Sequence, residues 1–255
     1  LLEDTYKGFA RSGALLEGRD KELYREYSSE LSQLTLKFGQ NAQAATNAFS
    51  YNITDPAKVE ELPAFVKEGL AAEAEARGEK GWTVTLHAPS YSPFMTYSTQ
   101  RDIKEALYRA YNTRGIGGET DNVENIRRIA ELRLKIANLL GYKCYADYVL
   151  EDRMAESTKT VNGFLAELNK ATLNYAKKDV AAITEYAHSL GFEGELAPWD
   201  FGYYNEKYKE AKYAINDEQI KPYLQLENVK NAVFMLAGKL YGLTFTPVDN
   251  IETYH

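Results

Sequence analysis

The stretch GWTVTLHAPSYSPFMTYSTQRDIKEALYRAYNTR, residues 81–114, decides the fold class. Its first part, residues 82–86, is short, β-branched and alternating, which is typical of a strand. Pro89 and Pro93 remove two backbone donors, and we expect them to end that strand. Residues 101–112 then predict a helix with one apolar face, formed by Ile103, Ala106, Leu107 and Ala110. The stretch therefore predicts a short strand followed by an amphipathic helix.

Outward from this stretch, most of the apolar spacing is helical. Further helices are predicted over residues 20–48, 62–77, 121–140, 157–190, 198–213 and 226–240. Asp121 followed by Glu124 indicates a capping box, and Ser157 is a good cap for the longest helix. Gly141 and Gly191 stand where these two helices should end. The inward faces predict a core that includes Leu31, Leu34, Phe38, Ile129, Ile136, Phe164 and Leu168.

Strand candidates are few and short. They are residues 50–54, 82–86 and 243–248, of which the first two flank a helix and are expected to pair. The third has no obvious partner strand. No linker rich in Pro, Gly and Ser and no repeat divides the sequence. We therefore predict a mainly α fold, an elongated helical bundle with a small β element, in which residues 1–255 form a single helical unit.

Composition excludes several classes of protein. The net charge of −7 argues against a nucleic-acid partner, because DNA or RNA binding needs a basic face. No apolar run approaches the roughly 18 residues of a membrane span, so no membrane partner is expected. The single cysteine, Cys144, can form neither an internal disulfide nor a zinc cluster alone, which fits a reducing compartment, and we expect a cytoplasmic protein.

The candidate catalytic and metal-ligating residues are dispersed. The three histidines, His87, His188 and His255, are 101 and 67 residues apart, so no two share a helical turn. His87 has no visible carboxylate partner, and His188 suits the end of a helix, where a cation is favoured. Serine and cysteine nucleophile signatures are absent. We therefore predict no catalytic, cofactor-binding or metal-binding residue within the sequence.

Four other features have structural interpretations that outweigh functional ones. Gly115-Ile-Gly-Gly118 follows a helix and lacks a following Lys-Ser/Thr, so a helix-ending turn is favoured over a phosphate loop. Asn52-Ile-Thr54 is a glycosylation sequon within a predicted strand. Glu151-Asp152 indicates a solvated helix end rather than an acid–base pair. Trp199, Tyr203, Tyr204 and Tyr208 make an aromatic helix for core packing or docking, and substrate contact is the alternative.

The stretch at 81–114 resembles the thimet-oligopeptidase and peptidyl-dipeptidase family of zinc metallopeptidases. That family has a series of Gly-Trp, strand, Pro-Ser-Tyr, Pro-Phe-Met, Tyr, Arg, Tyr-x-Ala-Tyr and Arg-Gly upstream of its active site. The similarity continues in family order along nearly the whole sequence. The segments are Leu1–Leu16, Leu31–Phe49, Leu139–Tyr142, Met154-Ala155, Trp199-Asp200, Tyr203-Tyr204, Ile220–Tyr223 and Leu240–Phe245.

The resemblance implies two helical halves that flank a deep channel, with zinc on its floor and short peptides as substrates. In such enzymes the chemistry is carried by a His-Glu-x-x-His helix and a further Glu, and this sequence contains neither in the required pattern. We therefore expect an internal piece of a larger peptidase, upstream of the catalytic helix, that supplies scaffold and channel wall. Its expected partners are the C-terminal catalytic portion and short peptides. The piece alone is expected to bind no zinc and to be inactive.

Two alternatives stay open at this point. One is a stand-alone helical interaction or scaffold protein without catalysis. The other is a different enzyme whose site the residues do not reveal. The reading frame distinguishes the first alternative from the peptidase, because a peptidase frame continues into His-Glu-x-x-His. The sequence does not separate peptidyl-dipeptidase from endopeptidase specificity.

Overall fold

The computed structural model describes residues 1–214 and 217–252, and the fold is mainly α with a small β element. The helices are α1 (Leu2–Arg11), α2 (Gly18–Ala48), α3 (Ala64–Ala76), α4 (Ala88–Tyr97), α5 (Arg101–Asn112), α6 (Val123–Leu139), α7 (Tyr145–Leu150), α8 (Thr158–Ser189), α9 (Pro198–Tyr213), α10 (Asp217–Ile220) and α11 (Leu226–Tyr241). The strands are β1 (Ser50–Ile53) and β2 (Trp82–Thr85), and short 3₁₀ turns lie at Pro56–Lys58, Gly118–Thr120 and Lys221–Leu224. The chain contacts form two units, Leu1–Tyr204 and Asn205–His255.

The two strands form an antiparallel two-stranded sheet, which confirms both strand predictions and their pairing. Ser50 lies opposite Thr85 and Ile53 opposite Trp82. Gly81, just before β2, has φ +91, and a Cβ there would lie 2.2 Å from the Ile53 carbonyl oxygen. Only glycine permits this approach of the two backbones.

The main core of the first unit lies around this sheet. Helices α3, α4 and α5 supply apolar side chains that pack with those of β1 and β2. The buried members are Ile53, Val59, Leu62, Val66, Leu70, Val84, Leu86, Phe94, Ile103 and Leu107. We call these residues and the elements that carry them the sheet core. Helix α5 has the predicted bounds, and Ile103 and Leu107 of its predicted face are fully buried.

Helix α4 was not predicted from the sequence. The strand does end before Pro89, but both prolines then lie inside a helix instead of in a connecting segment. Pro89 is tolerated because it lies in the first turn, where a backbone N–H has no acceptor within the helix. Pro93 lies inside α4 and removes one helical hydrogen bond. Burial of Phe94 in the sheet core offsets that loss.

Helices α2 and α6 pack against each other in antiparallel directions. Arg128 donates two hydrogen bonds of 2.7 Å to the two carboxylate oxygens of Glu30, and Asn122 Nδ2 donates to the Phe38 carbonyl oxygen. The Arg128 guanidinium lowers the pKa of the Glu30 carboxyl below its ordinary value. Ile129 and Ile136 are buried, as predicted. This contact fixes α2 along the first unit.

The predicted capping box of α6 is wrong. The helix begins at Val123 with Asn122 as its cap residue, one position later than expected. Asp121 still accepts a hydrogen bond of 3.1 Å from the Val123 N–H, but Glu124 forms an ion pair with Arg127 instead of bonding back to the cap. An arginine one turn further along the helix competes successfully for that carboxylate.

Helix α8 has the predicted cap and end but not the predicted burial. Ser157 Oγ accepts a hydrogen bond of 3.1 Å from the Thr160 N–H, and Gly191 follows the helix with φ +89. Phe164 and Leu168, predicted to be buried, are exposed, as is Phe38 on α2; Leu31 and Leu34 are half-buried. The period identified the apolar faces correctly. It could not show whether another element packs on them.

The second unit contains the end of α9 and helices α10 and α11. The predicted strand at 243–248 is wrong, because these residues form no regular secondary structure. Gly242 ends α11 with φ +67, and the Phe245 ring then stacks on Phe234 at a centroid distance of 4.5 Å. The segment thus packs back on α11 through a side chain, whereas a strand would need a ladder partner. No helix of the described residues is long and apolar enough to cross a membrane.

Candidate functional site

His87, His188 and Cys144 lie in separate places. His87 caps the start of α4 and borders a cavity of about 310 Å³ that is also lined by Phe65, Glu73, Thr85 and Ser90. His188 Nε2 lies 2.8 Å from the Gly194 carbonyl oxygen, just beyond α8. Cys144 is half-buried at the cap of α7. His255 lies outside the described residues.

The described side chains among these four do not form a metal centre. Among residues 1–214 and 217–252, no three His, Cys, Asp or Glu side chains come together as a metal-binding group. A tight zinc site needs three or four converging ligands. The described residues therefore do not fit the zinc that the family resemblance implies, and we derive no step of catalysis through it.

The remaining sequence candidates have structural partners. Glu151 forms an ion pair with Arg11 and accepts a hydrogen bond from the Tyr142 hydroxyl, and these two contacts, Tyr142 first, lower the pKa of the Glu151 carboxyl. The Asn52 amide donates to the Lys80 carbonyl oxygen and to Thr83 Oγ1. Residues 115–118 form a turn in which three glycines have positive φ. These groups serve local structure.

The first turn of α9 holds a buried polar contact with α5. Asp200 is fully buried, and its two carboxylate oxygens accept hydrogen bonds of 3.0 to 3.1 Å from the Arg101 guanidinium. Asp200 also accepts a hydrogen bond of 2.9 Å from the Ala197 N–H. The bond to Asp200 raises the pKa of Arg101 above its ordinary value. Arg101 begins α5, so this bidentate pair joins two elements that are 99 residues apart.

Aromatic rings near Asp200 face three cations of α5, including Arg101 itself. Arg101 lies over Phe192 at 5.6 Å, Lys104 over Tyr203 at 4.9 Å and Arg109 over Trp199 at 5.3 Å, each measured to the ring centroid. We call these six residues with Asp200 the cation–aromatic cluster. Every contact in it runs between α5 and residues 192–203. Cation–π contacts of this kind contribute about 0.5 to 2 kcal/mol each.

Lys104 is the most unusual member of this cluster. Its side chain is only 2% exposed, and desolvation lowers the pKa of its ammonium group. Burial also raises the pKa of the nearby Tyr204 phenol. Burial thus disfavours the charged form of Lys104, and the nearby Asp200 carboxylate partly offsets that effect. The arrangement braces α5 against the start of α9, and it lacks the nucleophile and base pair that catalysis of acyl transfer requires.

The sequence identified only part of this cluster. Trp199, Tyr203 and Tyr204 were singled out as an aromatic helix, and the prediction that this region serves packing agrees with their contacts. Arg101, Lys104 and Asp200 were not named as a group, although Lys104 directly follows the buried Ile103 and therefore lies at the edge of an apolar face. Their pairing depends on a contact across 99 residues, for which sequence spacing gives no signal.

Comparison with known proteins identifies related peptidases. Oligopeptidase A of Salmonella typhimurium is 33% identical over 259 residues, which cover 100% of this chain and 38% of the relative. Probable cytosolic oligopeptidase A of Arabidopsis thaliana is 34% identical over 260 residues, or 98% of this chain and 37% of the relative. Dipeptidyl carboxypeptidase of Escherichia coli is 29% identical over 261 residues, again 100% of this chain and 38% of the relative.

The chain thus spans well under half the length of these relatives. The sequence profile of peptidase family M3 matches residues 94–255, which include α5, the cation–aromatic cluster and all of α8. That match covers more than half of the chain and agrees with the resemblance found in the motifs at 81–114. The chain belongs to peptidase family M3.

Proposed function

We propose that this chain is the scaffold and channel-wall portion of a zinc-dependent metallopeptidase that hydrolyses short peptides. One observation carries the proposal: the chain aligns over its full length with peptidases, yet it spans only 38% of oligopeptidase A. Since the described residues offer no zinc-binding group, the zinc ligands and catalytic base are assigned to polypeptide outside the aligned region. Residues 1–255 acting as one non-catalytic unit is part of this proposal.

The structure of the first unit supports a scaffold role. The sheet core fixes α5, and the cation–aromatic cluster then fixes the start of α9 relative to α5. Helices α2 and α8, with 31 and 32 residues, are long and mostly exposed along their length. Long rigid helices held by a compact core are suited to form the walls of a channel.

The kind of cleavage and the cell compartment stay predictions. Relatives include both an oligopeptidase and a dipeptidyl carboxypeptidase, at 33% and 29% identity, so the similarity does not choose between endopeptidase and peptidyl-dipeptidase action. One relative from Arabidopsis thaliana is named cytosolic and another chloroplastic/mitochondrial. The cytoplasmic location rests on the single cysteine.

The test is to express the full reading frame and assay it with a quenched fluorescent short peptide. We expect the peptide to be cleaved, a chelator to abolish this cleavage and added zinc to restore it. An intact folded protein that contains the same peptide sequence should not be cut. The 255-residue chain, prepared as the control, should neither bind zinc stoichiometrically nor cleave the peptide. One zinc per chain held by residues 1–255, or cleavage insensitive to the chelator, would contradict the proposal.

The alternative is a stand-alone helical scaffold protein. The observation in its favour is the absence of a metal-binding group from the described residues, together with apolar helix faces that are free to contact a partner. The reading frame decides between the two. A frame without His-Glu-x-x-His, or a zinc-free inactive product of the whole frame, supports the scaffold protein.

A further inference from the structure

Helix α8 carries an apolar stripe that the first unit does not cover. Residues 161, 165, 168, 172 and 175 follow one another at steps of four, three, four and three, which places them on one face of the helix. Phe164 and Leu168 are 63% and 46% exposed, and Leu165 and Tyr175 are exposed as well. All residues from 162 to 181 are exposed. We call residues 161–176 of this face the α8 stripe; it is about 23 Å long.

The same face of α8 is buried further along the helix. Ile183 and Ala187 are nearly inaccessible to solvent. They lie on the same side of the helix as the α8 stripe, about two turns beyond its C-terminal end. Asp179 separates the covered from the uncovered part. One continuous helix face is therefore packed at its C-terminal end and bare over the preceding four turns. A contiguous exposed apolar patch of this kind marks an interaction surface.

We infer that the α8 stripe is the docking surface for an apolar helix of the same M3 polypeptide. That helix belongs to the part of the relatives' length that lies outside the region aligned with this chain. The inference rests on the proposed function, because it takes this chain to be part of the longer peptidase. The relatives align with all of this chain and still have most of their length left over. That additional polypeptide is covalently tied to the stripe, so its effective concentration exceeds that of any separate partner.

The flanks of the stripe argue against a second copy of this chain as the occupant. Helices that select a separate partner commonly carry charged residues on both flanks of the apolar seam. On one flank of the α8 stripe the positions one heptad apart are Asn162 and Asn169, which are uncharged. An uncharged flank provides little electrostatic selectivity for a separate partner. A helix of the same polypeptide needs no such selectivity, because it is covalently attached.

Cysteine labelling of the full reading frame tests the inference. Thr172→Cys lies in the stripe and Lys170→Cys lies on the opposite face, and both positions are exposed in the first unit, so neither change should impair folding. Cys144 and any cysteine outside these residues are replaced by alanine in both variants. Relative to the urea-unfolded chain, maleimide labelling of Thr172→Cys should slow at least about tenfold, and that of Lys170→Cys less than about twofold. Equal labelling of the two folded variants overturns the inference.

A photo-crosslinking residue in place of Phe164 identifies the occupant. Cross-links to peptides outside residues 1–255 support the inference. Cross-links within these residues, or between two copies with a dimer in gel filtration, overturn it. Peptidase activity is measured separately on the same preparations. Protection at Thr172→Cys without cleavage of peptides would support the docking surface and reject the proposed function. Cleavage of peptides without protection at Thr172→Cys would support the proposed function and reject the docking surface.

Discussion

The sheet core and the α8 stripe have similar apolar spacing and opposite surroundings. Phe94, on a helix interrupted by proline, is 0% exposed, whereas Phe164, on an unbroken and well-capped helix, is 63% exposed. Helix propensity alone favours the unbroken helix α8 over α4, which contains proline, so propensity does not indicate which phenylalanine is buried. The difference teaches that an apolar period identifies the face a helix can bury. Whether that face is buried depends on what the rest of the fold brings to it.

The two regions also treat charge differently. On α5, Arg101 and Lys104 face aromatic rings and a buried carboxylate. On α8, Lys170 and Asp179 are exposed. Matched substitutions in the two regions therefore measure what burial adds to the same residue type. All of the following variants are compared in the 255-residue chain by urea unfolding, followed by far-ultraviolet circular dichroism.

The largest difference is expected between two phenylalanines. Phe94→Ala should lower the free energy of unfolding by about 3 to 5 kcal/mol, because it removes a large side chain from a packed core and leaves a cavity. Phe164→Ala should change it by less than about 0.5 kcal/mol, since the ring is already in water. Equal losses for the two variants would break the comparison and show that the α8 stripe is covered within the 255 residues.

A smaller difference is expected between two aspartates. Asp200→Asn should lower the free energy of unfolding by about 1 to 3 kcal/mol, because a neutral amide cannot accept both hydrogen bonds from Arg101 and leaves a buried site imperfectly paired. The Arg101 side chain is about half exposed and can be rehydrated, which keeps the loss below that of a fully buried ion pair. Asp179→Asn on α8 is the control, with an expected change below about 0.5 kcal/mol.

The smallest difference concerns lysine and depends on pH. Burial lowers the pKa of Lys104, so between its folded and unfolded pKa values the native state binds fewer protons than the unfolded state. Stability of the unsubstituted protein should therefore rise with pH through that window. Lys104→Met removes this dependence: the variant should be the more stable one at neutral pH, and its advantage should shrink as the pH approaches about 10.4.

Lys170→Met, on the exposed face of α8, is the matched control for this pH series. The stability difference between each variant and the unsubstituted protein is followed from neutral to alkaline pH. A difference for Lys104→Met that does not change with pH, or one that changes as it does for Lys170→Met, would show that the ammonium group of Lys104 is not desolvated in the folded protein.

The sequence by itself determined the local parts of this protein. Ser157 and Gly191 marked the two ends of α8, and the alternation at residues 82–86 marked β2. The ordered motifs around residues 81–114 identified the family. These signals are reliable because a cap or a β-branched run acts within about four residues of itself.

Only the tertiary structure decided which of these elements have partners. Two prolines lie inside α4 because the helix buries Phe94 in the core. Residues 243–248 lie outside any sheet, and Phe245 packs on Phe234 instead. The tertiary structure joined Arg101 to Asp200 and buried Lys104 beside them. Burial and pairing are set by groups that lie far apart along the chain, and a repeat of apolar residues carries no information about what arrives to cover it.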